Sequence, residues 1–164
     1  MTETSVGQAH TSGMVLAVRI GKDLHAVPIR AVEEVLPALP IESVPNCPPF
    51  VRGVVFVRGH LIPVLDAAER LGLKDHVRPP EPHIVCLRID GRLIGVEFDE
   101  ALDLLDLRGV EELSSAELGA SGGFFSGVVE REGQIYRLLD PDKLIAHEEA
   151  VALEQVPRTM SKDS

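Results

Sequence analysis

The sequence predicts a mainly β protein made of two small five-stranded barrels side by side, with short helices, and three observations carry that reading. The first is an internal duplication. Sliding the chain forward by 74 positions brings Phe50, Gly53, Val54, Val55, Gly59, Leu65 and Asp66 onto Phe124, Gly127, Val128, Val129, Gly133, Leu139 and Asp140 without a gap. Upstream, a shift of 69 brings Arg19, Ile20, Leu24, Val27 and Leu36 onto Arg88, Ile89, Leu93, Val96 and Leu105, so a five-residue insertion falls between Leu105 and Phe124. The second is composition: 45% of residues are hydrophobic but only 4% aromatic, with no Trp, so Val, Leu and Ile must fill the core, which favours strands. The third is punctuation. Each copy reads as about five short apolar runs and a terminal helix, and small antiparallel sheets remove unpaired edges most readily by closing.

Taken in order, residues 1–13 are small and polar without periodicity and read as a flexible tail. Residues 14–20 and 24–28 flank the turn Gly21-Lys22-Asp23 and predict a hairpin. Ile29, Val32 and Val35 stand at helical spacing, predicting one turn of helix before a strand through residues 35–41, which Pro37 and Pro40 restrict to an edge. The proline-rich run 44–49 delivers the chain to the duplicated hairpin of residues 50–66, where Gly59 suits a tight turn and Arg58 stands at the tip. Asp66 is placed to cap a helix over 67–71 that Gly72 stops, closing a first barrel of about residues 14–72. Residues 73–82, with Pro79-Pro80-Glu81-Pro82, read as a stiff polar linker.

The second barrel, about residues 83–140, opens with strands on either side of Asp90-Gly91, a type I′ signal, although hydrophobic–polar alternation is weak in both arms. The insertion follows over 109–123, where Ser114-Ser115-Ala116-Glu117 has capping-box spacing. The repeat of the hairpin covers 124–139. Asp140-Pro141 then predicts a C-terminal helix over about 141–154, completing one folded unit over 14–155 ahead of a second flexible tail, 156–164.

Charge and motif content exclude most chemistries. A net charge of −10 opposes a nucleic-acid or anionic-membrane partner. Oligonucleotide binding, which the strands alone would suit, is further opposed by the scarcity of aromatic residues. Cys47 and Cys86 are isolated and read as inert reduced thiols, and six scattered histidines share no ligand spacing, so no metal site is expected. No nucleophile-elbow or phosphate-loop motif occurs. No stretch has the length of a membrane span and no N-terminal signal is present, which predicts a cytoplasmic protein. Between Glu97 and Glu117 there are eight acids against one base, Arg108; the expected reading is a solvated acidic face that would meet a basic partner, with Glu111 and Glu112 as candidate contacts. The hairpin tip offers the other candidate surface. Arg58, with Arg52 and His60 near it in sequence, is matched by Glu132 in the second copy, so the duplicated tips carry opposite charge.

The runs Ala31-Val32-Glu33-Glu34-Val35, Pro48-Pro49-Phe50-Val51-Arg52-Gly53-Val54 and Val57-Arg58-Gly59-His60-Leu61-Ile62-Pro63-Val64-Leu65-Asp66 resemble the CheW adaptors of bacterial chemotaxis. In the second half Ile94-Gly95-Val96-Glu97-Phe98-Asp99 and Phe125-Ser126-Gly127-Val128 are similar to later strands of that family. The resemblance implies two intertwined SH3-like barrels around a shared core, no catalysis and no cofactor. It further implies bridging between the cytoplasmic tip of methyl-accepting receptors and a CheA-type histidine kinase at membrane-associated arrays. Receptor-contacting positions would fall on Val32, Gly53 and Arg58, with Glu34 and Gly59 beside them. Phe56 and Val57 stand where the family commonly has Asn-Leu, which adds Phe56 to the candidate interface and allows a divergent, non-motility pathway.

Overall fold

The computed structural model describes residues 13–113 and 123–145. The opening hairpin is β1 (Met14–Ile20) and β2 (Asp23–Pro28), followed by a 3-10 turn over Ile29–Ala31 and β3 (Val32–Leu36). The strand expected through residue 41 stops at Leu36, because Pro37 and Pro40 cannot donate to a ladder; beyond them Glu42 alone bridges to Val54. The duplicated hairpin is β4 (Val51–Val57) and β5 (His60–Asp66), and α1 (Ala67–Arg70) follows it. The second copy supplies β6 (His83–Ile89), β7 (Arg92–Phe98), β8 (Glu100–Asp106), the two-residue β9 (Glu112–Leu113), β10 (Phe125–Arg131) and β11 (Gln134–Leu139).

Asp66 caps α1 by accepting from the Glu69 amide at 3.2 Å, and Asp140 does the same for the Asp142 amide at 3.1 Å. A 3-10 turn, Pro141–Lys143, follows Asp140; the helix predicted beyond it and both predicted tails, apart from Gly13, lie outside the described residues. So does the capping-box segment of the insertion.

Among the described residues eleven strands form two sheets, one ordered β8-β1-β2-β11-β10-β9 and the other β3-β6-β7-β5-β4. Applying the repeat shifts, β1 corresponds to β6, β2 to β7, β3 to β8, β4 to β10 and β5 to β11. Apart from β9, whose counterpart beside β4 is only the single Glu42–Val54 bridge, the two sheets therefore have the same strand order with the copies exchanged. Each takes an opening hairpin from one copy and its remaining strands from the other, joined through a parallel pair: Val64 beside Gly95 in one, Leu138 beside Ala26 in the other. The boundaries 14–72 and 83–140 thus delimit the sequence repeats and do not delimit the sheets. The fold class is the predicted one, mainly β with two SH3-like subdomains, but among the described residues the ladders do not close into barrels.

This exchange explains the weak alternation. Strands β1 and β6 are buried on both faces, as central strands of sheets covered on two sides must be. Val15 and Ala17 face one sheet's own core with Tyr136 and Leu138, while Leu16, Val18 and Ile20 enter a core shared by both sheets. Their repeats behave alike, Ile84 and Cys86 facing Ile62 and Val64, and Val85, Leu87 and Ile89 entering the shared core. Arg70 joins the copies at the equivalent residues Phe50 and Phe124, with its guanidinium 4.3 Å and 5.0 Å from the two ring centroids and its Nε donating to the Leu144 carbonyl at 2.6 Å.

One histidine sits in this interior without a polar partner among the described residues. His25, at the position corresponding to Ile94, is 2% exposed, stacks on Phe125 at 5.7 Å, and has neither ring nitrogen hydrogen-bonded to them. Burial, assisted by Arg137, lowers its pKa to about 4. The folded chain holds His25 neutral where the unfolded chain takes up a proton, so stability is full above about pH 6.5 and falls as pH drops from there toward 4. Urea unfolding of wild type at pH 8 and pH 4.5 should show a His25 contribution of about 3 kcal/mol that His25→Ile removes. An equal pH dependence in both proteins would contradict the assignment.

Candidate functional site

The tip of the β4–β5 hairpin is set by local conformation. Arg58 and Gly59 both have positive φ, 49° and 84°, the requirement of a type I′ turn, and the flanking pair is Val57 opposite His60. Arg58 projects from this tip with its side chain 68% exposed and turns back to hydrogen-bond the Glu34 carboxylate on β3. Strands β3 and β4 are the two ends of the second sheet, so this ion pair ties one end to the other. Glu34's hydrogen bond, and then its charge, hold the Arg58 guanidinium above its ordinary pKa. Behind Glu34 lies Cys86, whose thiol burial pushes up to about 11, which suits an inert thiol.

Large apolar side chains stand exposed on the same end strands, Phe56 on β4 at 52% and Val35 on β3 at 42%. Val32, at the start of β3, is half-buried against the shared core, and His60 is exposed immediately beyond the turn. The structure thus brings Arg58, in the turn with Gly59, to Glu34 on the opposite end strand, while Phe56 and His60 stand exposed on the strands that flank that turn.

The other predicted residues are occupied differently. Gly53 is buried at an irregularity in β4, has φ 146°, and lies so close to the backbone of Glu42 that a Cβ would collide with its carbonyl. That close approach lets Glu42 and Val54 exchange backbone hydrogen bonds at 2.9 and 2.8 Å. Arg52 points into the protein, its Nε 3.0 Å from Glu97 Oε1. Glu111 and Glu112 lie at the far edge of the first sheet, where the Glu112 side chain packs over Gly127, the repeat of Gly53.

The acidic segment is not the uniformly solvated face expected from its charge. Glu97 is 5% exposed and Asp99 8% exposed. Glu97 Oε1 accepts from Arg52 and Arg78, both at 3.0 Å, and Arg78 also reaches Asp66 at 2.5 Å. Asp99 accepts from the Gly21 amide at 2.7 Å and pairs with His76 at 2.8 Å. These contacts pin the linker, read from its prolines as stiff and polar, to the body of the protein, because His76 and Arg78 belong to it. Burying a carboxylate demands such partners, and the sequence signal for them is the pair of acids closing the apolar strand β7.

Among the described residues no group of three or more His, Cys, Asp or Glu could hold a metal ion, and no helix is long and apolar enough to cross a membrane. Chemically the arrangement offers an exposed arginine, steadied by a carboxylate, whose remaining N–H groups are directed donors for an incoming acceptor.

Comparison with known proteins finds relatives over most of the chain. The family model described as "CheW-like domain" matches residues 14–149. The chain is 28% identical over 141 residues to the chemotaxis protein CheW of Rhizobium meliloti, covering 84% of this chain and 90% of the relative. It is 30% identical over 132 residues to that of Thermotoga maritima, covering 80% and 86%. The crystal structure of the scaffolding protein TtCheW from Thermoanaerobacter tengcongensis superposes with a TM-score of 0.76 at 19% identity, over 84% of this chain and 95% of that one. With a family model matched across both duplicated halves, and with the fold shared, the chain belongs to the CheW-like domain family.

Proposed function

We propose that this chain is a non-catalytic scaffold of chemotaxis signalling that couples the cytoplasmic tip of methyl-accepting receptors to a CheA-type histidine kinase within membrane-associated arrays. The observation that carries the receptor side is the exposed Arg58, held by Glu34 across the two end strands, on which Val35 and Phe56 are also exposed. A helical receptor tip would lay apolar side chains against those residues while Arg58 fixes its register by charge-assisted hydrogen bonds. Individual contacts in an array need be only modest, since many are engaged together. Phe56, exposed where the family commonly has Asn, favours a receptor set with a more apolar tip, as a divergent pathway would use.

Arg58→Glu should weaken binding to reconstituted receptor tips by roughly tenfold or more while kinase binding persists. The paired exchange Arg58→Glu with Glu34→Arg separates two roles. It restores the internal ion pair but reverses the outward charge, so receptor binding stays lost if Arg58 touches the receptor. Recovery of binding in the exchanged variant would assign Arg58 to holding the sheet ends together. Unchanged affinity in Arg58→Glu alone would remove the site from the proposal.

A further inference from the structure

A second surface on this sheet arises where the two copies differ. In the first sheet the parallel ladder between β11 and β2 includes Tyr136 beside Leu24 and Arg137 beside His25. The corresponding residues of the second sheet are Ile62 beside Leu93 and Pro63 beside Ile94, and there the ladder begins only at Val64 beside Gly95. Pro63 stands where the other copy has Arg137 and has no N–H to donate, so β5 and β7 part toward their hairpin tips. The parting leaves an open cleft of about 500 Å³. Leu61, Ile62 and Leu93 provide its apolar lining, and His60, Arg88 and Arg92 its polar one. Among the described residues no carboxylate lines it, in a chain whose net charge is −10. Arg88 is half exposed and reaches Glu33 at 3.2 Å outside the cleft.

We propose that this cleft docks an extended acidic peptide segment of a partner protein, with an aliphatic side chain on the Leu61–Leu93 lining and flanking carboxylates against His60, Arg88 and Arg92. An apolar floor with two arginines and a histidine at its rim and no lining carboxylate among the described residues favours that combination over a basic segment, and strands that face each other without a ladder offer main-chain groups to an extended chain. This surface does not include Arg58 or Glu34, shares only His60 with the hairpin-tip site, and does not rest on the receptor assignment. Part of the affinity is electrostatic and should fall with ionic strength.

The test is a titration of the isotope-labelled full chain, followed by amide chemical shifts, with the capped peptide Asp-Val-Asp-Leu-Asp and with its lysine counterpart Lys-Val-Lys-Leu-Lys. The acidic peptide should shift amides in residues 60–62 and 91–93 and the lysine peptide should not. The double variant His60→Glu with Arg88→Glu should weaken the acidic peptide about tenfold or more. Pro63→Val, which returns the missing N–H, should extend the ladder and abolish binding; if that variant does not fold, the double variant carries the test. Equal response to both peptides, retained affinity in the double variant, or movement of the same amides on raising protein concentration alone, which would put a second copy in the cleft, each overturns the proposal.

Discussion

Gly53→Ala should destabilise the chain by about 3 kcal/mol or more, lowering the melting temperature by about 10 °C, and should do so whether or not a receptor is present. Two costs combine. At φ 146° an L side chain is strained, and the new Cβ would be driven into the Glu42 carbonyl, a backbone atom that cannot rotate away. Relief requires pulling residues 42–43 off β4, which sacrifices the paired Glu42–Val54 hydrogen bonds. Thermal unfolding of the purified variant is the measurement. A change under about 1 kcal/mol would mean that the strand yields cheaply, returning Gly53 to the role the family resemblance implies, direct contact with the receptor. If stability falls as expected, loss of receptor binding in a Gly53 variant reports a displaced β4 as readily as a lost contact.

Glu97→Ala should cost about 3 kcal/mol, because removing one member of a buried ion pair strands the other. Here two arginines lose their shared acceptor: Arg52 and Arg78 both donate to Glu97 Oε1. Both are about one-third exposed, so water recovers part of the loss and the cost stays toward the lower end for buried pairs. Glu97→Gln keeps an oxygen in reach of both Nε groups without the charge and should cost less. Proteolysis within residues 73–82 should also accelerate in Glu97→Ala, since Arg78 holds that linker down through Glu97 and Asp66. Urea denaturation with the m value checked for constancy decides the first point, and timed limited digestion the second. A stability change near zero would show that Arg78 and Asp66 suffice without Glu97.

Much of the candidate site is legible in the sequence. The Arg58 turn is, because positive φ at Arg58 and Gly59 is a local demand of a two-residue hairpin and Gly59 announces it. Its partner Glu34 shows in the sequence only as a neighbouring motif position; the ion pair spans 24 residues and depends on the sheet curling until its end strands approach. Arg52 stands with Arg58 by proximity in sequence, yet strand geometry sends it to Glu97, 45 residues away. In the acidic run, charge density cannot distinguish an exposed carboxylate such as Asp103 from the buried Asp99 that receives an amide and a histidine.

The duplication, the hairpins with their turns, and the two aspartate caps, Asp66 and Asp140, are written locally in the chain. Each is specified within a few residues, by backbone conformation, by strand-length apolar runs or by a short hydrogen bond. Which hairpin joins which sheet is settled only in three dimensions. In a duplicated chain β1–β2 and β6–β7 offer the same apolar faces, so the pattern is satisfied equally by pairing within a copy or across copies. The choice is made by what lies between the halves: the shared core entered by Val18 and Leu87, and Arg70 placed between Phe50 and Phe124 with its hydrogen bond to Leu144, 74 residues away. Those contacts exist only once both copies are folded against each other, and no local stretch of either one encodes them.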